Sequence, residues 1–294
     1  MPKKTIIAPL ANCQFLLVGC GKMGGALLSG WLEKGLKPAQ FAVQEPTPTP
    51  MLKKSGVKLI GNGEKIKPPD IVVLAIKPQL AATILPPLAD ILGRNTLIIS
   101  LLAGLSIENI SQLLDSKARI IRAMPNTPVS VGAGMTALCA PADVSKKARR
   151  QSEALMGMVG KTLWIERESD MDKVTAISGS GPAYLFYLVE TLMSSGEALG
   201  LCEDVARQLV LQTIIGSALM LDETDRSVRD LRRDVTSPRG TTEAALDVLA
   251  SEEGGLSDLM RRATQAASQR GRDLAQGGDN GSANSNAKNN PEET

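Results

Sequence analysis

The chain has 294 residues, with 33 basic and 31 acidic side chains and 43% hydrophobic residues, a composition typical of soluble globular proteins. A net charge of +2 and an aromatic content of 2% argue against binding to nucleic acid or to an anionic membrane. The sequence contains no histidine, which excludes Ser-His-Asp and Cys-His nucleophiles and most catalytic zinc sites, so we expect no metal. The length predicts two domains.

The cysteine pattern predicts a cytoplasmic protein with reduced thiols. No two cysteines form a Cys-x-x-Cys pair, and all are widely spaced, at Cys13, Cys20, Cys139 and Cys202. Residues 1–13 contain lysines ahead of an apolar stretch and weakly imitate a signal peptide or a lipidated-cysteine site, but Asn12 and Gln14 interrupt the pattern. No apolar run approaches the ~20 residues that a membrane-spanning helix needs, so we expect no membrane partner.

Short apolar strands alternate with amphipathic segments up to about residue 165, the pattern of a parallel sheet with helices on both faces. The expected strands are residues 15–18, 41–44, 71–76, 97–100, 119–123 and 161–165. Several are apolar throughout, as strands buried on both faces should be. Ser106 is a plausible N-cap for a helix that begins at Ile107. We therefore predict a doubly wound α/β domain over residues 1–166.

Strand signals disappear after residue 170, and an all-helical domain is predicted over residues 167–275. The expected helices are residues 182–199, 203–222, 227–234, 242–250 and 256–274. Apolar residues surround the helix at 203–222 instead of forming one stripe, so it should be buried on nearly every side. A domain of about 100 residues can hardly bury such a helix alone, so we expect a partner subunit to cover it. Residues 276–294 lack large apolar side chains and should form a disordered tail.

The first predicted strand leads directly into GCGKMG at 19–24, a G-x-G-x-x-G motif followed by an apolar helix. In such motifs the first glycine permits a tight turn and the second lets the backbone approach a pyrophosphate. The third lets the helix pack closely on the strand. A glycine-rich turn alone is weak support, but the strand before it and the helix after it predict dinucleotide binding.

Charged residues lie at the ends of the next two predicted strands. Glu45 ends the second strand, where an acid commonly receives the ribose hydroxyls of NAD and repels the 2′-phosphate of NADP. It is equally well explained as a solvated loop glutamate beside Pro46, and Lys53 or Lys54 could still bind a phosphate. The sequence therefore leaves the choice between NADPH and NADH open. Lys77 ends the third strand, where it is explained equally well as a ligand contact and as a solvated charge.

Three further loops offer polar groups. MPNTP at 124–128 follows a strand, and its prolines hold Asn126 and Thr127 in a rigid turn that could wall a nicotinamide. SGSGPAY at 178–184 and TSPRGTTE at 236–243 each precede a helix, where hydroxyls and backbone N–H groups suit a small carboxylate. For either loop alone, ordinary helix capping by Ser180 or Thr241 is the simpler interpretation.

Taken in this order, GCGKMG, MPNTP, SGSGPAYLF at 178–186 and DVTSPRGTTEAAL at 234–246 resemble the pyrroline-5-carboxylate reductase family. The resemblance covers residues from about 15 to 275. It implies a Rossmann domain followed by a helical dimerisation domain whose long helices interlock with a second subunit. A dimer is the implied minimal unit, and larger rings of dimers occur in the family. The implied reaction is hydride transfer from NADPH or NADH to the imine carbon of Δ1-pyrroline-5-carboxylate, giving L-proline in the last step of proline biosynthesis.

The resemblance and the motifs together assign the expected site residues. Thr242 matches the threonine whose hydroxyl hydrogen-bonds the ring nitrogen, and its expected role is orientation more than proton transfer. The residues expected to contact the substrate are Ser180, Ser237, Gly240, Thr241 and Thr242. Those expected to contact the cofactor are Gly19, Gly21, Lys22, Met23, Gly24, Glu45, Ala75, Lys77, Pro78 and Asn126.

Three positions depart from the family pattern. Arg239 stands where glycine is commonest, Asp234 stands where an amide is usual, and Lys22 is an unusual residue for the glycine-rich loop. Arg239 either points to solvent or adds positive potential beside an anionic substrate. Asp234 puts in doubt any hydrogen bond that the amide would donate.

Two alternative functions remain. A β-hydroxyacid dehydrogenase shares the plan of a Rossmann domain and a helical domain, and its catalytic lysine would be Lys173. That interpretation leaves the loop 237–242 unexplained. A non-catalytic dinucleotide-binding sensor should have a blocked or missing substrate loop, whereas Thr241 and Thr242 are both present here.

Overall fold

The computed structural model describes residues 8–115 and 118–275, so residues 1–7 and the predicted tail at 276–294 lie outside the described chain. Its strands are β1 (Phe15–Val18), β2 (Phe41–Gln44), β3 (Lys58–Ile60), β4 (Ile71–Leu74), β5 (Leu97–Ser100), β6 (Arg119–Pro125), β7 (Gly134–Cys139) and β8 (Gly160–Trp164). They form one sheet in the order β3-β2-β1-β4-β5-β6-β7-β8.

Strand direction confirms the predicted doubly wound sheet, with one exception at its far edge. The first six strands run parallel, in the order found in dinucleotide-binding domains. β7 runs antiparallel to β6, and β8 runs parallel to β7. Only residues 126–133 connect β6 to β7, which is too short for the crossover of about a dozen residues that a parallel neighbour requires.

The sequence pattern missed β3 and β7. β3 is a short edge strand in which only Ile60 is buried, so it carries no apolar run. β7 has the sequence GMTALC, whose small residues give a weak strand signal even though most of them are buried. β4 also ends at Leu74, before the predicted limit at residue 76. The next two residues pack instead against Gly19.

Helices cover both faces of the sheet. They are α1 (Lys22–Glu33), α2 (Pro50–Lys54), α3 (Ala81–Leu88), α4 (Ile107–Leu113) and α5 (Lys146–Gly157). The hydroxyl of Ser106 accepts a hydrogen bond from the N–H of Asn109 at 3.0 Å, which confirms the predicted N-cap of α4.

The two hydrophobic cores follow from alternation along the strands. Phe15 and Leu17 belong to one core and Leu16 and Val18 to the other, because successive side chains of a strand point to opposite faces. In the first core Trp31 is fully buried, and its indole N–H donates to the carbonyl oxygen of Leu155 at 2.9 Å. This bond ties α1 to α5 and so fixes the helix that begins at the glycine-rich loop.

The described residues of the second half form helices joined by loops and contain no strand, as predicted. Its helices are α6 (Met171–Val174), α7 (Gly181–Ala198), α8 (Glu203–Asp222), α9 (Val228–Asp234), α10 (Thr241–Leu249) and α11 (Leu256–Ala275). A π-helical turn, Thr175–Gly179, joins α6 to α7. The predicted limits of the last five helices agree with these to within one residue. The domain limits at 166 and 275 stay predictions.

α8 is not buried on nearly every side within this chain. It packs on α7, but Ala206 is its one buried residue. Leu209 and Leu219 are each 55% exposed and Ile215 is 52% exposed, an apolar surface of the kind that marks a protein interface. Within this single chain, the apolar surface of α8 is therefore not buried on nearly every side as its sequence predicts. None of the helices in the described ranges is long and apolar enough to cross a membrane.

Candidate active site

The glycine-rich loop joins the carboxyl end of β1 to α1, and packing explains two of its glycines. Gly19 has a φ of +88°, and a Cβ there would lie 2.8 Å from the carbonyl oxygen of Ala75. A Cβ at Gly24 would overlap the carbonyl oxygen of Gly19 and approach Ala75. These two positions accept only glycine because the turn is left-handed and the helix lies directly against the loop.

Unlike Gly19 and Gly24, Gly21 is not restricted to glycine by contacts within the chain. It is the N-cap of α1 with an ordinary φ of −69°, and a Cβ added there would meet nothing within 4 Å. The chain's own packing therefore does not require a glycine at this position. No side chain caps α1, so the first N–H groups of the helix have no side-chain acceptor. Such a cradle fits the pyrophosphate of a dinucleotide.

The two residues that follow differ in exposure. Lys22 is the first residue of α1 and is exposed, so its charge is at the N-terminal end of that helix. A cation at a helix N-terminus is otherwise unfavourable. Met23 is partly buried and packs against the core beneath α1.

The carboxylate of Glu45 is held against the glycine-rich loop. Its Oε2 accepts a hydrogen bond from the N–H of Cys20 at 2.7 Å, and its Oε1 accepts one from the N–H of Thr47 at 3.0 Å. Burial, and secondarily the Glu45 charge, raise the pKa of the Cys20 thiol to about 11. Glu45 is thus an ordered group beside the candidate cofactor cleft, and each carboxylate oxygen keeps further lone pairs.

The turn after β4 forms the neighbouring wall of this cleft. Ala75 packs under the glycine-rich loop, next to Gly24. Pro78 begins a 3₁₀ turn, and the carbonyl oxygen of Lys77 accepts the closing hydrogen bond from Leu80 at 3.0 Å. The side chain of Lys77 is exposed at the edge of the sheet. Because β1 and β4 are adjacent and the strand order reverses between them, ligands bind at this edge in open α/β sheets.

Asn126 connects the two halves of the molecule. Its Oδ1 accepts from the N–H of Met135 at 2.8 Å, and its Nδ2 donates to the carbonyl oxygen and the hydroxyl of Ser178, both at 3.3 Å. Asn126 therefore fixes the end of β6 against the π-helical turn. Ser178 was not among the expected site residues, although its position in SGSGPAY was a usable signal.

A partly buried ion pair ties the halves at a second point. Arg122 in β6 has a side chain only 8% exposed, and its Nη1 donates to Oε1 of Glu168 at 3.0 Å. The same carboxylate oxygen accepts from the N–H of Ile107, the first residue of α4, at 2.7 Å. Nη2 of Arg122 is buried and has no hydrogen-bond partner among the described residues. This pair was not predictable from the sequence, because nothing local links residue 122 to residue 168.

The expected substrate loop has free hydroxyls. Gly240 is the N-cap of α10 and Ser180 is the N-cap of α7, and neither helix has a side-chain cap. Ordinary capping by Ser180 or Thr241 is therefore not observed. The hydroxyls of Ser180, Ser237, Thr241 and Thr242 make no hydrogen bond to any described residue. The start of α10 can thus offer N–H groups and hydroxyls to a carboxylate.

The two departures in this loop have local contacts. Arg239 adopts a left-handed φ of +61°, which explains why glycine suits this position, and its N–H donates to the carboxylate of Glu243. Asp234 pairs with the guanidinium of Arg226. A Cβ at Gly240 would displace the Ser237 hydroxyl and lie 3.0 Å from the Ser237 carbonyl oxygen. These hydrogen bonds are all local to the loop.

Lys173 lies on the surface. Its Nζ donates to Oδ1 of Asp170 at 2.6 Å, and its side chain is 63% exposed. The Lys173 bond and then that of Arg167 hold the pKa of the Asp170 carboxyl below its usual value. The lysine that a hydroxyacid dehydrogenase would use is therefore occupied by a surface ion pair. Across residues 8–115 and 118–275, no group of three histidine, cysteine, aspartate or glutamate side chains is arranged to hold a metal.

Comparison with known proteins shows similarity over both halves. A family profile described as "Pyrroline-5-carboxylate reductase dimerisation" matches residues 168–274, and one described as "NADP oxidoreductase coenzyme F420-dependent" matches residues 14–104. The pyrroline-5-carboxylate reductase of Pseudomonas aeruginosa is 37% identical over 271 residues, covering 91% of this chain and 98% of the relative. Pyrroline-5-carboxylate reductase 1 of Bacillus subtilis is 34% identical over 265 residues, covering 88% of each.

Solved structures give the same result. A pyrroline-5-carboxylate reductase from Coxiella burnetii has 38% sequence identity and a TM-score of 0.82, covering 90% of this chain and 98% of that one. The pyrroline carboxylate reductase of Plasmodium falciparum, solved with NADP bound, has 30% identity and a TM-score of 0.80 over the same shares of the two chains.

Proposed function

This chain belongs to the pyrroline-5-carboxylate reductase family, and from that premise we propose that it reduces Δ1-pyrroline-5-carboxylate to L-proline with NADPH or NADH, the last step of proline biosynthesis. The observation that carries the proposal is the loop 236–243, which leads into α10 with an uncapped helix start and free hydroxyls. A helix start of this kind suits the carboxylate of a small anionic imine.

The cofactor cleft is proposed between the glycine-rich loop and the turn after β4. When bound there, a reduced nicotinamide dinucleotide supplies the hydride for the imine carbon. The open cradle at Gly21 holds the pyrophosphate on the first N–H groups of α1, with Lys22 adding positive charge. Ala75, Lys77 and Pro78 line the neighbouring wall. Asn126 fixes the loop after β6 at the same edge of the sheet.

The chain's own groups bind and orient the substrate. The N–H groups at the start of α10 and the hydroxyls of Ser237 and Thr241 hold the carboxylate. The hydroxyl of Ser180, at the start of α7, is a further substrate contact. The hydroxyl of Thr242 hydrogen-bonds the ring nitrogen. A protonated imine is already electrophilic, so positioning supplies most of the catalysis and no imidazole is required. A hydroxyl is a poor proton reservoir at neutral pH, so Thr242 orients the ring.

A homo-oligomer follows from the dimerisation profile over residues 168–274, and we propose the dimer as its minimal unit. The uncovered apolar surface of α8 supports this proposal. So does a cavity of about 1130 Å³ between α8 and the β7–β8 edge, which includes Val131, Ile215 and Leu219. Light scattering distinguishes a dimer from a larger ring. We further propose a cytoplasmic enzyme without nucleic-acid or membrane partners, with domains at residues 1–166 and 167–275.

The function is tested by measuring oxidation of NADH and NADPH on adding pyrroline-5-carboxylate, with proline identified as the product. Thr242→Ala should lower kcat/KM by roughly 10 to 100-fold, comparable to the loss of one buried hydrogen bond. Thr242→Ser keeps the hydroxyl and is the matched control, with nearly full activity expected. Unchanged turnover in Thr242→Ala would remove this residue from the mechanism. Dinucleotide binding without turnover would instead favour a hydroxyacid dehydrogenase or a sensor.

A further inference from the structure

The residues that follow β2 determine which dinucleotide the cleft can accept. We propose that this enzyme selects NADH over NADPH, because Glu45 and the proline-interrupted segment 46–50 accept a ribose 2′-hydroxyl and exclude a 2′-phosphate. The inference depends on the proposed function only in requiring a nicotinamide dinucleotide as the cofactor.

Glu45 is an ordered acceptor directly after β2, where an acidic residue receives the adenosine ribose in dinucleotide-binding sheets. The N–H groups of Cys20 and Thr47 hold its two oxygens at 2.7 Å and 3.0 Å, so the carboxylate cannot easily swing away. Each oxygen retains lone pairs for the 2′- and 3′-hydroxyls, which are hydrogen-bond donors. A 2′-phosphate offers only acceptors and negative charge at the same place, and the carboxylate repels it.

The segment after Glu45 offers a phosphate few backbone N–H groups and no positive charge. Pro46, Pro48 and Pro50 have no N–H group, and the N–H of Thr47 is already bonded to Glu45. The hydroxyl of Thr49 accepts from the N–H of Leu52 and caps α2. The donors that the segment keeps, chiefly the O–H groups of Thr47 and Thr49, are uncharged and cannot offset the charge of a phosphate. Arginine, which binds phosphate through paired N–H groups, does not occur in the sequence before Arg94. The rim of the cleft therefore has few groups to compensate a phosphate charge.

The nearby lysines do not replace the missing arginine. β2 and β3 are parallel, so the segment between them runs from the carboxyl edge of the sheet to the amino edge. Lys53 and Lys54 lie in the last turn of α2, and thus on the part of this segment that leaves the cofactor edge. Lys22 lies at the pyrophosphate cradle, which both cofactors share, so it does not discriminate between them.

The experiment is a calorimetric titration of the purified protein with NADH and NADPH, and with the fragments 5′-AMP and 2′,5′-ADP. The wild-type protein should bind NADH at least about tenfold more tightly than NADPH, with the same order for the fragments. Glu45→Gln keeps the shape of the side chain and an acceptor for Cys20 but removes the charge. It should shift the ratio of the two dissociation constants about tenfold towards NADPH.

Two further variants serve as a control for charge removal and as a test of added positive charge. Glu64→Gln removes one charge from the loop after β3, where Glu64 pairs with the exposed Lys58 at 3.0 Å, and should leave the ratio unchanged. Pro48→Arg supplies a guanidinium at the rim and should shift the ratio of the two dissociation constants towards NADPH.

The inference is overturned if the wild-type protein binds NADPH as tightly as NADH, or if Glu45→Gln and Glu64→Gln shift the ratio equally. These titrations require no imine substrate. Selective NADH binding without proline formation would therefore refute the proposed reaction and leave the inference intact. Proline formation with equal use of both cofactors would support the proposed reaction and refute the inference.

Discussion

Replacing Gly21 with alanine should separate cofactor binding from folding. The added Cβ meets nothing within 4 Å, and the backbone φ of −69° is ordinary for alanine. Alanine reduces the conformational freedom of the unfolded chain, which stabilises the fold by about 0.4–1 kcal/mol. It is a poorer N-cap than glycine by roughly 0.5–1 kcal/mol. These effects nearly cancel, so the melting temperature should change by no more than about 2 °C.

Cofactor binding by the same variant should fall sharply. The methyl group would stand between the first N–H groups of α1 and the pyrophosphate that approaches them. Inserting a methyl group into a close contact costs about 1–3 kcal/mol. At 1.4 kcal/mol for each factor of ten, the Kd for NADH should rise roughly 5 to 150-fold. Titration calorimetry and a thermal melt on the same sample measure both quantities.

Gly24→Ala is the contrasting variant. Its Cβ would overlap the carbonyl oxygen of Gly19 and move α1 away from the loop. It should lower the unfolding free energy by about 1–3 kcal/mol and weaken binding as well. NADH binding by Gly21→Ala that equals wild type would refute the assignment of the cradle. A melting temperature several degrees lower would refute the claim that Gly21 is not needed for packing.

Three further predictions follow from single contacts. Glu168→Ala leaves the guanidinium of Arg122 buried and unpaired, so urea denaturation should show an unfolding free energy lower by about 2–4 kcal/mol. The double variant with Arg122→Met should lose less, and an equal loss in both variants would contradict this. Burial, and then Glu45, raise the Cys20 pKa from 9.0 to about 11. Its protonated thiol therefore contributes stability that is complete below pH 9.0 and is lost as the pH rises towards 11. In native protein at neutral pH, a thiol reagent should modify the exposed Cys202 and spare Cys20; modification of both would refute this. Arg239→Gly should leave the melting temperature unchanged or raise it, because the left-handed backbone costs arginine about 1 kcal/mol; a clear decrease would contradict this.

The local pattern of the sequence was sufficient for most elements of the fold. The limits of α8 were predicted to the residue, and the N-cap at Ser106 was predicted correctly. Both depend on neighbours within a few positions, which the sequence shows directly. β7 was missed because its apolar run, residues 137–140, is short and mostly alanine and cysteine, which give a weak strand signal. It forms a strand between β6 and β8.

The candidate site was predictable only as a set of separate loops. The glycine-rich motif identified the turn and the helix start, and the three longer motifs carried the family resemblance. The bonds of Glu45 to Cys20 and of Asn126 to Ser178 were not predictable, because they join residues 25 and 52 positions apart. The same holds for the ion pair between Arg122 and Glu168.

The sequence by itself determined the succession of strands and helices, the position of the glycine-rich loop and the absence of imidazole chemistry, since these depend on residue type and short-range order. The tertiary structure alone decided that Glu45 is held beside the loop and that Gly21 opens a cradle. It also decided that α8 is left uncovered. Those features arise when packing brings distant segments into contact, and sequence periodicity carries no information about such contacts.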